Sequence, residues 1–537
     1  MNSACAAHTD YSSTGIQGNL FLQAPDTDLN EFLRENAEFA QKHPEIIEQI
    51  DKHLDSAALK KKRMRIADKK FNEEQTRFLS GFDKPPAAET PAEETPTDEI
   101  PWKKLKASPA LTLETGRPRM SGLLVFMFIS LRGFLGDLTS ATSRRFLEES
   151  ISLRVMVENA GFDSMPAANT ITSHLNNLPK SLCDSMLDAQ IKDCLAEQLD
   201  DFKDLTLDST SVMANSQWPT DGKSIIGLAS RTLQNGRLFA KFGFPAFRKW
   251  HVPKWIEQMA TLEFEICLCA GKANSRRKMK RLYKKLYLKA RKASARLQSE
   301  LDYCMAGSDE ETLKPSHRQI FLRAVEQMRG DIKDINRVIE YSENRIMHGE
   351  SLPAKEKILS LSDGSAAYIQ KGGREAVIGY KPQLCRSSNG FIAALKVPQG
   401  NTSDSVEFVP VIEAAIARTG VKPRSLSVDD GYSSKDGRDH FIDYVDVVSI
   451  SGSKGKKITP EEEWDSLGHR EARRMRSAVE SLMYTIKHNF DFGRLGRRGI
   501  ESVRSELLEK VIAYNFCRSI LIRKRKRLAE AQRKQAA

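Results

Sequence analysis

Cysteine is scarce in this chain and shows no pairing pattern. Eight residues, Cys5, Cys183, Cys194, Cys267, Cys269, Cys304, Cys385 and Cys517, are scattered over 537 positions. None forms a CxxC pair, and Cys267 and Cys269 have no matching His/Cys pair at zinc spacing. A disulfide framework is excluded on the same ground, and a reducing compartment is expected. Long apolar runs are missing as well. The longest, Leu123–Ile129, is far too short to span a bilayer and predicts a buried helix, so no membrane partner is expected. No basic segment followed by an apolar one opens the sequence, so no secretory signal is expected and a cytoplasmic location is. Acid is short relative to base: 71 Asp and Glu against 83 Lys and Arg leave a net charge of +12. That excess favours an anionic partner, nucleic acid being the commonest. A basic protein without such a partner is the plain alternative.

What is present divides the chain by composition. Residues 1–83 are polar with helical patches such as Leu29–Leu33, and include the basic run Lys60–Arg63. Residues 84–110 form a linker whose first part is rich in Pro, Ala, Glu and Thr, a composition that buries no core, so the structured body is expected to begin near Trp102. Residues 111–200 read as a helical domain. There Ser143–Asn159 has helical periodicity, Gly161–Asp163 forms a turn, and Asn169 or Thr170 caps a new helix. That order suits a helix-turn-helix that binds DNA, or a plain helical hairpin. Residues 201–254 and 351–522 show strand signals and form one sheet domain. The expected strands are Leu205–Asp208, Lys357–Leu361, Ala376–Tyr380, Phe391–Val397, Ser425–Asp429 and a short run within Phe441–Ile450, with a helix over Val406–Arg418. Strand and helix alternate, which predicts an α/β layer with a parallel portion. Residues 255–350 interrupt it as a basic helical insertion, with an amphipathic helix at Arg276–Lys289 and another at Ile320–Ile346. This block serves as a coiled-coil oligomerisation arm or as a DNA contact; its pattern fits both. Residues 523–537 are a basic tail, opening with Arg523–Arg527, that is solvated or touches phosphate.

Three acidic residues concentrate the chemistry. Asp208 closes the alternation Leu205-Thr206-Leu207, and Asp429 closes Ser425-Leu426-Ser427-Val428. In α/β sheets the carboxyl ends of strands form the functional crevice. Glu480 lies in a basic helical stretch. Arg473 and Arg476 precede it by seven and four residues, and Tyr484 and Lys487 follow by four and seven, so all share its face. Met475, Val479, Leu482, Met483 and Ile486 fall on the other face. Two strand-end carboxylates and one helical carboxylate suit hard divalent cations, and flanking cations suit a DNA backbone. Each feature has an ordinary reading too. Asp208 can be a turn residue, Asp429-Asp430-Gly431 an Asp-Gly turn, and Arg476–Glu480 a surface pair.

The ordered combination resembles the DDE transposases of bacterial insertion sequences. Arg476-x3-Glu480-x6-Lys487 is similar to the signature around that group's catalytic Glu, although Arg473 stands where a Tyr is usual. Asp429-x-Gly431-Tyr432 is similar to the second catalytic Asp, which selects Asp429 over Asp430. Asp208-Ser209-Thr210, followed by Asn215 and Pro219-Thr220-Asp221, resembles the first. Gly400–Asp404, Arg494–Asn515 and Glu148–Arg154 with Pro166 and Thr170 resemble other parts of the group, so the likeness covers roughly 120–235 and 357–520. The resemblance implies an RNase H-like mixed sheet flanked by helices, joined here to an N-terminal helical domain and a large helical insertion. It implies catalysis and metal binding by Asp208, Asp429 and Glu480 with two Mg²⁺ or Mn²⁺ ions. It implies DNA partners, namely terminal inverted repeats and target DNA, and a homodimer or larger homo-oligomer at the nucleoid of a bacterial cell. Expected DNA contacts are Arg473, Arg476, Tyr484, Lys487, Lys454, Lys456, Arg497 and Arg498. A metal-dependent nuclease without strand transfer and a non-catalytic DNA-binding derivative remain as alternatives.

Overall fold

The computed structural model describes residues 28–81, 120–136, 138, 141–159, 164–176, 178, 179, 181–216, 220–272, 274–350, 352–371 and 375–536. These fall into two compact units, one of residues 1–54, 118–216 and 362–537, the other of 55–117 and 217–361. Expectations for the 84–110 linker, for Gly161–Asp163 and for Pro219 lie outside the described residues.

In the first unit, α1 (Asp28–Lys42) and α2 (Pro44–Gly81, whose later part belongs to the second unit) precede α3 (Gly122–Leu135). The apolar run forms α3 as expected: ten of its residues are buried. Ser121 caps its first turn by accepting from the Leu124 amide, and Gly136, at φ 82°, ends it. The structured body does not wait for Trp102. Phe32 and Phe39 of α1 are buried, with the Phe32 ring 4.4 Å from Phe134 and the Phe39 ring 5.2 Å from Phe516. Polar average composition hid one apolar stripe.

The helices α4 (Ala141–Glu149) and α5 (Ile151–Asn159) are separate, so Ser143–Asn159 is broken at Ser150. Next come α6 (Ala168–Asn176) and α7 (Leu182–Ala196). Asn169 and Thr170 lie inside the first turn of α6 and do not cap it; the Ala167 carbonyl accepts from the Thr170 and Ile171 amides.

The sheet strands are β1 (Asp204–Ser209), β2 (Val212–Met213), β3 (Ala367–Ile369), β4 (Val377–Tyr380), β5 (Gln383–Ser387), β6 (Ile392–Lys396), β7 (Ser425–Val428) and β8 (Val447–Ile450). A five-stranded sheet has the order β6-β5-β1-β7-β8; β2-β4-β3 form a smaller one. In the large sheet β1 pairs antiparallel with β5 and parallel with β7, β5 pairs antiparallel with β6, and β7 runs parallel to β8. This is the expected mixed α/β sheet, RNase H-like and flanked by helices. Lys357–Leu361 is not a strand, because Ile358 and Leu361 pack against the helical core of the second unit instead.

The connections are helical. In the second unit, α8 (Asp221–Lys241), α9 (Val252–Cys269), α10 (Arg276–Ala306) and α11 (Pro315–Glu343) share one core. Here α8 belongs with the insertion, so the helical block opens earlier than residue 255. Asp331 is wholly buried and held by Arg231 at 2.5 Å.

Back in the first unit, α12 (Asp404–Thr419) packs on β1, β5 and β6. Then come α13 (Lys435–Ile442), α14 (Ser453–Ile458), α15 (Glu461–Trp464), α16 (Leu467–Asn489) and α17 (Ile500–Ala536). Helix α16 packs on β1, β7 and β8 through Val479, Leu482 and Ile486. The basic tail is the end of α17. Arg523 there pairs with Glu35 and with Glu197 at 2.7 Å, and Lys524 bonds to Glu31 at 2.5 Å, so both cations are engaged within the protein.

Helices α3 and α17 approach so closely that a methyl on Gly133 would stand 2.2 Å from the Glu509 carbonyl oxygen. Glu509 is 4% exposed and accepts from both Arg132 (2.7 Å) and Arg497 (2.5 Å). Burial opposes its ionisation, but the two guanidinium groups overcome that and hold its pKa below the usual range. Removing the carboxylate leaves two half-buried cations together. Glu509→Ala is therefore expected to destabilise the first unit by about 3–5 kcal/mol. Urea unfolding measures this, and a loss under about 1 kcal/mol, as for an exposed pair, contradicts it.

Candidate active site

Register places the two aspartates. Thr206 of β1 lies opposite Ser427 of the parallel β7. Two residues further along each strand, Asp208 and Asp429 emerge level at the same sheet end, on chains about 4.8 Å apart. Every residue of β1 and β7 is buried, so the strand bodies are rigidly held where the acids emerge.

Two negative charges at one sheet end are costly in low dielectric. Burial, then the Asp208 charge, push the Asp429 pKa above the usual carboxylate value; Lys371 and the Gly431 amide oppose the rise. The Lys371 ammonium donates to Asp208 Oδ1 at 3.0 Å, to Ser209 Oγ at 3.0 Å and to the Ser209 carbonyl. The Ser209 amide also donates to Asp208 Oδ1, at 2.6 Å. A cationic side chain thus already neutralises part of the pair.

Asp430 has a different role. Its carboxylate accepts from the amides of Lys454 (2.9 Å) and Gly455 (3.0 Å) at the start of α14. Burial works against its ionisation, but those amides prevail and its pKa is lowered. Asp429 is left as the residue beside Asp208.

A third acid stands close by. A methyl on Gly431 would lie 3.0 Å from Asp429 Oδ1 and 3.4 Å from Asp404 Oδ2, so the turn runs between two carboxylates. Asp404 Oδ1 accepts from Lys381 Nζ and Gln383 Nε2, each at 2.9 Å. Gln383 is fully buried and accepts from the Tyr432 hydroxyl, whose pKa is raised, first by burial and then by Asp404. The chain Tyr432–Gln383–Asp404–Lys381 fixes the turn that carries Asp429. Asp404 belongs to the Gly400–Asp404 loop that the resemblance includes, and nothing in the sequence marks it as a neighbour of Asp429. Lys371 and Gln383 carried no recognisable sequence signal.

Glu480 is elsewhere in this structure. It lies on the outer side of α16, its side chain 70% exposed and 3.6 Å from Arg476. Among the described residues no three His, Cys, Asp or Glu side chains stand close enough to hold one metal ion. The helix face read from the sequence is met in part: Val479, Leu482 and Ile486 are buried, Met475 and Met483 are half-buried, and Tyr484 is 67% exposed, its ring tilted against His488. The anticipated DNA contacts divide. Lys454, Lys456 and Arg498 are exposed. Arg473 instead lies over the Trp464 ring at 4.2 Å and donates to its carbonyl, and Arg497 is bound to Glu509. Lys487 is half-buried.

The electrostatics make a direct prediction. Asp208→Asn removes the neighbouring charge and should lower the Asp429 titration midpoint, whereas Lys371→Met should raise it. Carboxyl ¹³C chemical shifts read both, and unchanged midpoints in both variants would show that the two groups do not feel Asp429.

Among the described residues no helix is long and apolar enough to cross a membrane, and the seven described cysteines are unpaired. No curated protein and no solved structure matches the chain. Residues 347–516 match the family model of the transposase DDE domain. That stretch contains β3 to β8, Asp404, Asp429, Glu480 and most of α17's buried part, while Asp208 reaches the site from β1 outside it. By this match, residues 347–516 are similar to the DDE domain of transposases.

Proposed function

We propose that the chain is a DNA transposase in which Asp208 and Asp429 hold divalent metal while DNA strands are cut at element ends and joined to a target. The observation that supports this reading best is the meeting of two carboxylates, from distant chain segments, at parallel strand ends beside the cationic Lys371. The donor set is oxygen only, which suits Mg²⁺ or Mn²⁺; such ions commonly take one or two carboxylates and complete their shell with water and substrate phosphate. Two bound ions would supply activation of the attacking oxygen and stabilisation of the leaving one.

The protein's own groups have separable parts. Asp208 and Asp429 bind, and the Tyr432–Gln383–Asp404 chain keeps Asp429 in place. Glu480 completes the set by leaving Arg476, whose guanidinium then meets a phosphate. Lys454, Lys456, Arg498, Tyr484 and Lys487 steady the DNA backbone. The pairing of two element ends calls for a homodimer or larger assembly. A second reading gives the third carboxylate's role to Asp404, which already faces Asp429 across Gly431.

Cleavage of a labelled element-end duplex and its joining to a plasmid test both. Alanine at Asp208, Asp429 or Glu480 should reduce cleavage about 10³-fold or more with unchanged thermal melting. Full activity of Glu480→Ala, with loss in Asp404→Asn, transfers the third role to Asp404. Cleavage without joining makes the protein a nuclease.

Lys371 must give way when a dication arrives, because both neutralise the same carboxylates. Lys371→Met is expected to tighten Mn²⁺ binding about tenfold, equivalent to ~1.4 kcal/mol. Isothermal titration without DNA measures it. Unchanged or weaker binding would show that Lys371 does not compete.

A further inference from the structure

The helical unit carries a groove that the catalytic reading does not use. Helix α10 opens with eleven Lys and Arg residues before its first acid, Glu300. Its inner face is apolar: Leu282, Leu286, Ala290 and Leu297 are buried in the unit's core. The cations are therefore forced outward. Lys285, Lys289 and Lys292, at offsets of four and seven, share one side of the helix. Helix α9 lies alongside and contributes Trp255, Gln258 and Leu262 from one face.

Between the two helices runs a groove of about 510 Å³. No Asp or Glu is among its lining residues. Its apolar part consists of Trp255, Leu262 and Leu288, the last 57% exposed. A leucine so exposed, flanked by lysines at three and four residues, gains nothing from the core below it. Lysine ammonium groups rim the same groove, and Arg281 and Lys284 continue the positive charge along the exposed side of α10.

We propose that this groove binds an unpaired stretch of DNA, with bases on Trp255 and Leu288 and phosphates on Lys285, Lys289 and Lys292. The pairing of an apolar floor with a cationic rim favours this occupant. A duplex presents phosphate and sugar outward and would leave the apolar floor unused, whereas an unpaired strand offers base faces and phosphates side by side. An acidic protein segment would use the lysines but has less need of a flat aromatic surface. The proposal rests on the reading of the chain as a DNA transposase, whose strand cutting exposes unpaired ends.

The test uses the full chain without divalent metal, so that cutting plays no part. Fluorescent oligonucleotides are compared as blunt duplex, duplex with a single-stranded extension, and single strand. Wild-type protein should prefer the two forms with unpaired nucleotides. Lys285→Ala/Lys292→Ala should weaken binding to them and make the log–log salt slope shallower by about 1.4, two lost phosphate contacts at ~0.7 each. Trp255→Ala should weaken the same binding about 5- to 150-fold with no change of slope, as expected for loss of ~1–3 kcal/mol of stacking. Trp255 also packs on the core, so Leu288→Ser, at an exposed position, provides a second variant that leaves folding intact and should weaken binding in the same sense.

If the lysine variant weakens blunt and extended duplex equally while both apolar variants bind normally, the groove is a duplex contact and the proposal fails. Normal DNA binding by all variants also overturns it, and binding of an acidic peptide in place of DNA does the same. Because Asp208→Ala blocks cutting without touching the groove, its cleavage defect reports on the catalytic reading separately. A chain that binds no DNA in any form sinks both.

Discussion

The site depends on one pairing: β1 and β7 run parallel, in a register that makes two aspartates emerge level from the same sheet end. Parallel pairing places like chain ends together, so both acids reach the crevice side by side. The buried strand bodies prevent either from retreating. The consequence is electrostatic, because two carboxylates held there demand a counter-cation. Lys371 supplies one charge from the chain itself. A dication would supply more, and the proposed function takes the pair as the place that receives it.

The surrounding polar network fixes the arrangement. Asp430 caps the start of α14, and Asp404 takes two donors from β5 and its approach. Tyr432 is locked beneath the turn by Gln383. Each group is fixed by a partner that cannot also serve the site. The result leaves Asp429 least satisfied among its neighbours, which is the state a binding carboxylate needs. Glu480 differs in kind. It sits on a helix whose apolar face is anchored to the sheet while its own side chain is exposed, so the proposed function needs that side chain to move.

Much of this was legible in sequence. Alternating apolar residues before Asp208 and Asp429 identified both strand ends, and offsets of three, four and seven placed Val479, Leu482 and Ile486 on the buried side of α16 and Glu480 and Tyr484 on the exposed side. The apolar run of α3 was recognisable by length alone. Other parts were hidden for definite reasons. Strand β5 reads Gln383-Leu384-Cys385-Arg386-Ser387, poor in β-branched residues because its polar side chains serve buried partners: Gln383 holds Asp404 and Ser387 bonds to Asp200. Lys357–Leu361 looked like a strand because its apolar residues pack against helices. Lys371 could not be found, since only folding brings it to Asp208. Arg497 and Arg523 looked like phosphate contacts, yet Glu509 claims the first and Glu35 with Glu197 the second. Charge type is readable from sequence; the identity of a charge's partner is not.

The central claim is that Asp208 and Asp429 form a metal-binding pair from which Lys371 is displaced. Crystals soaked in Mn²⁺ and measured at its absorption edge test it most directly. The account predicts an anomalous peak bonded to both aspartates, with the lysine ammonium moved away from Asp208. Saturating Mn²⁺ that leaves Lys371 on Asp208, with no peak at the two carboxylates, would contradict it.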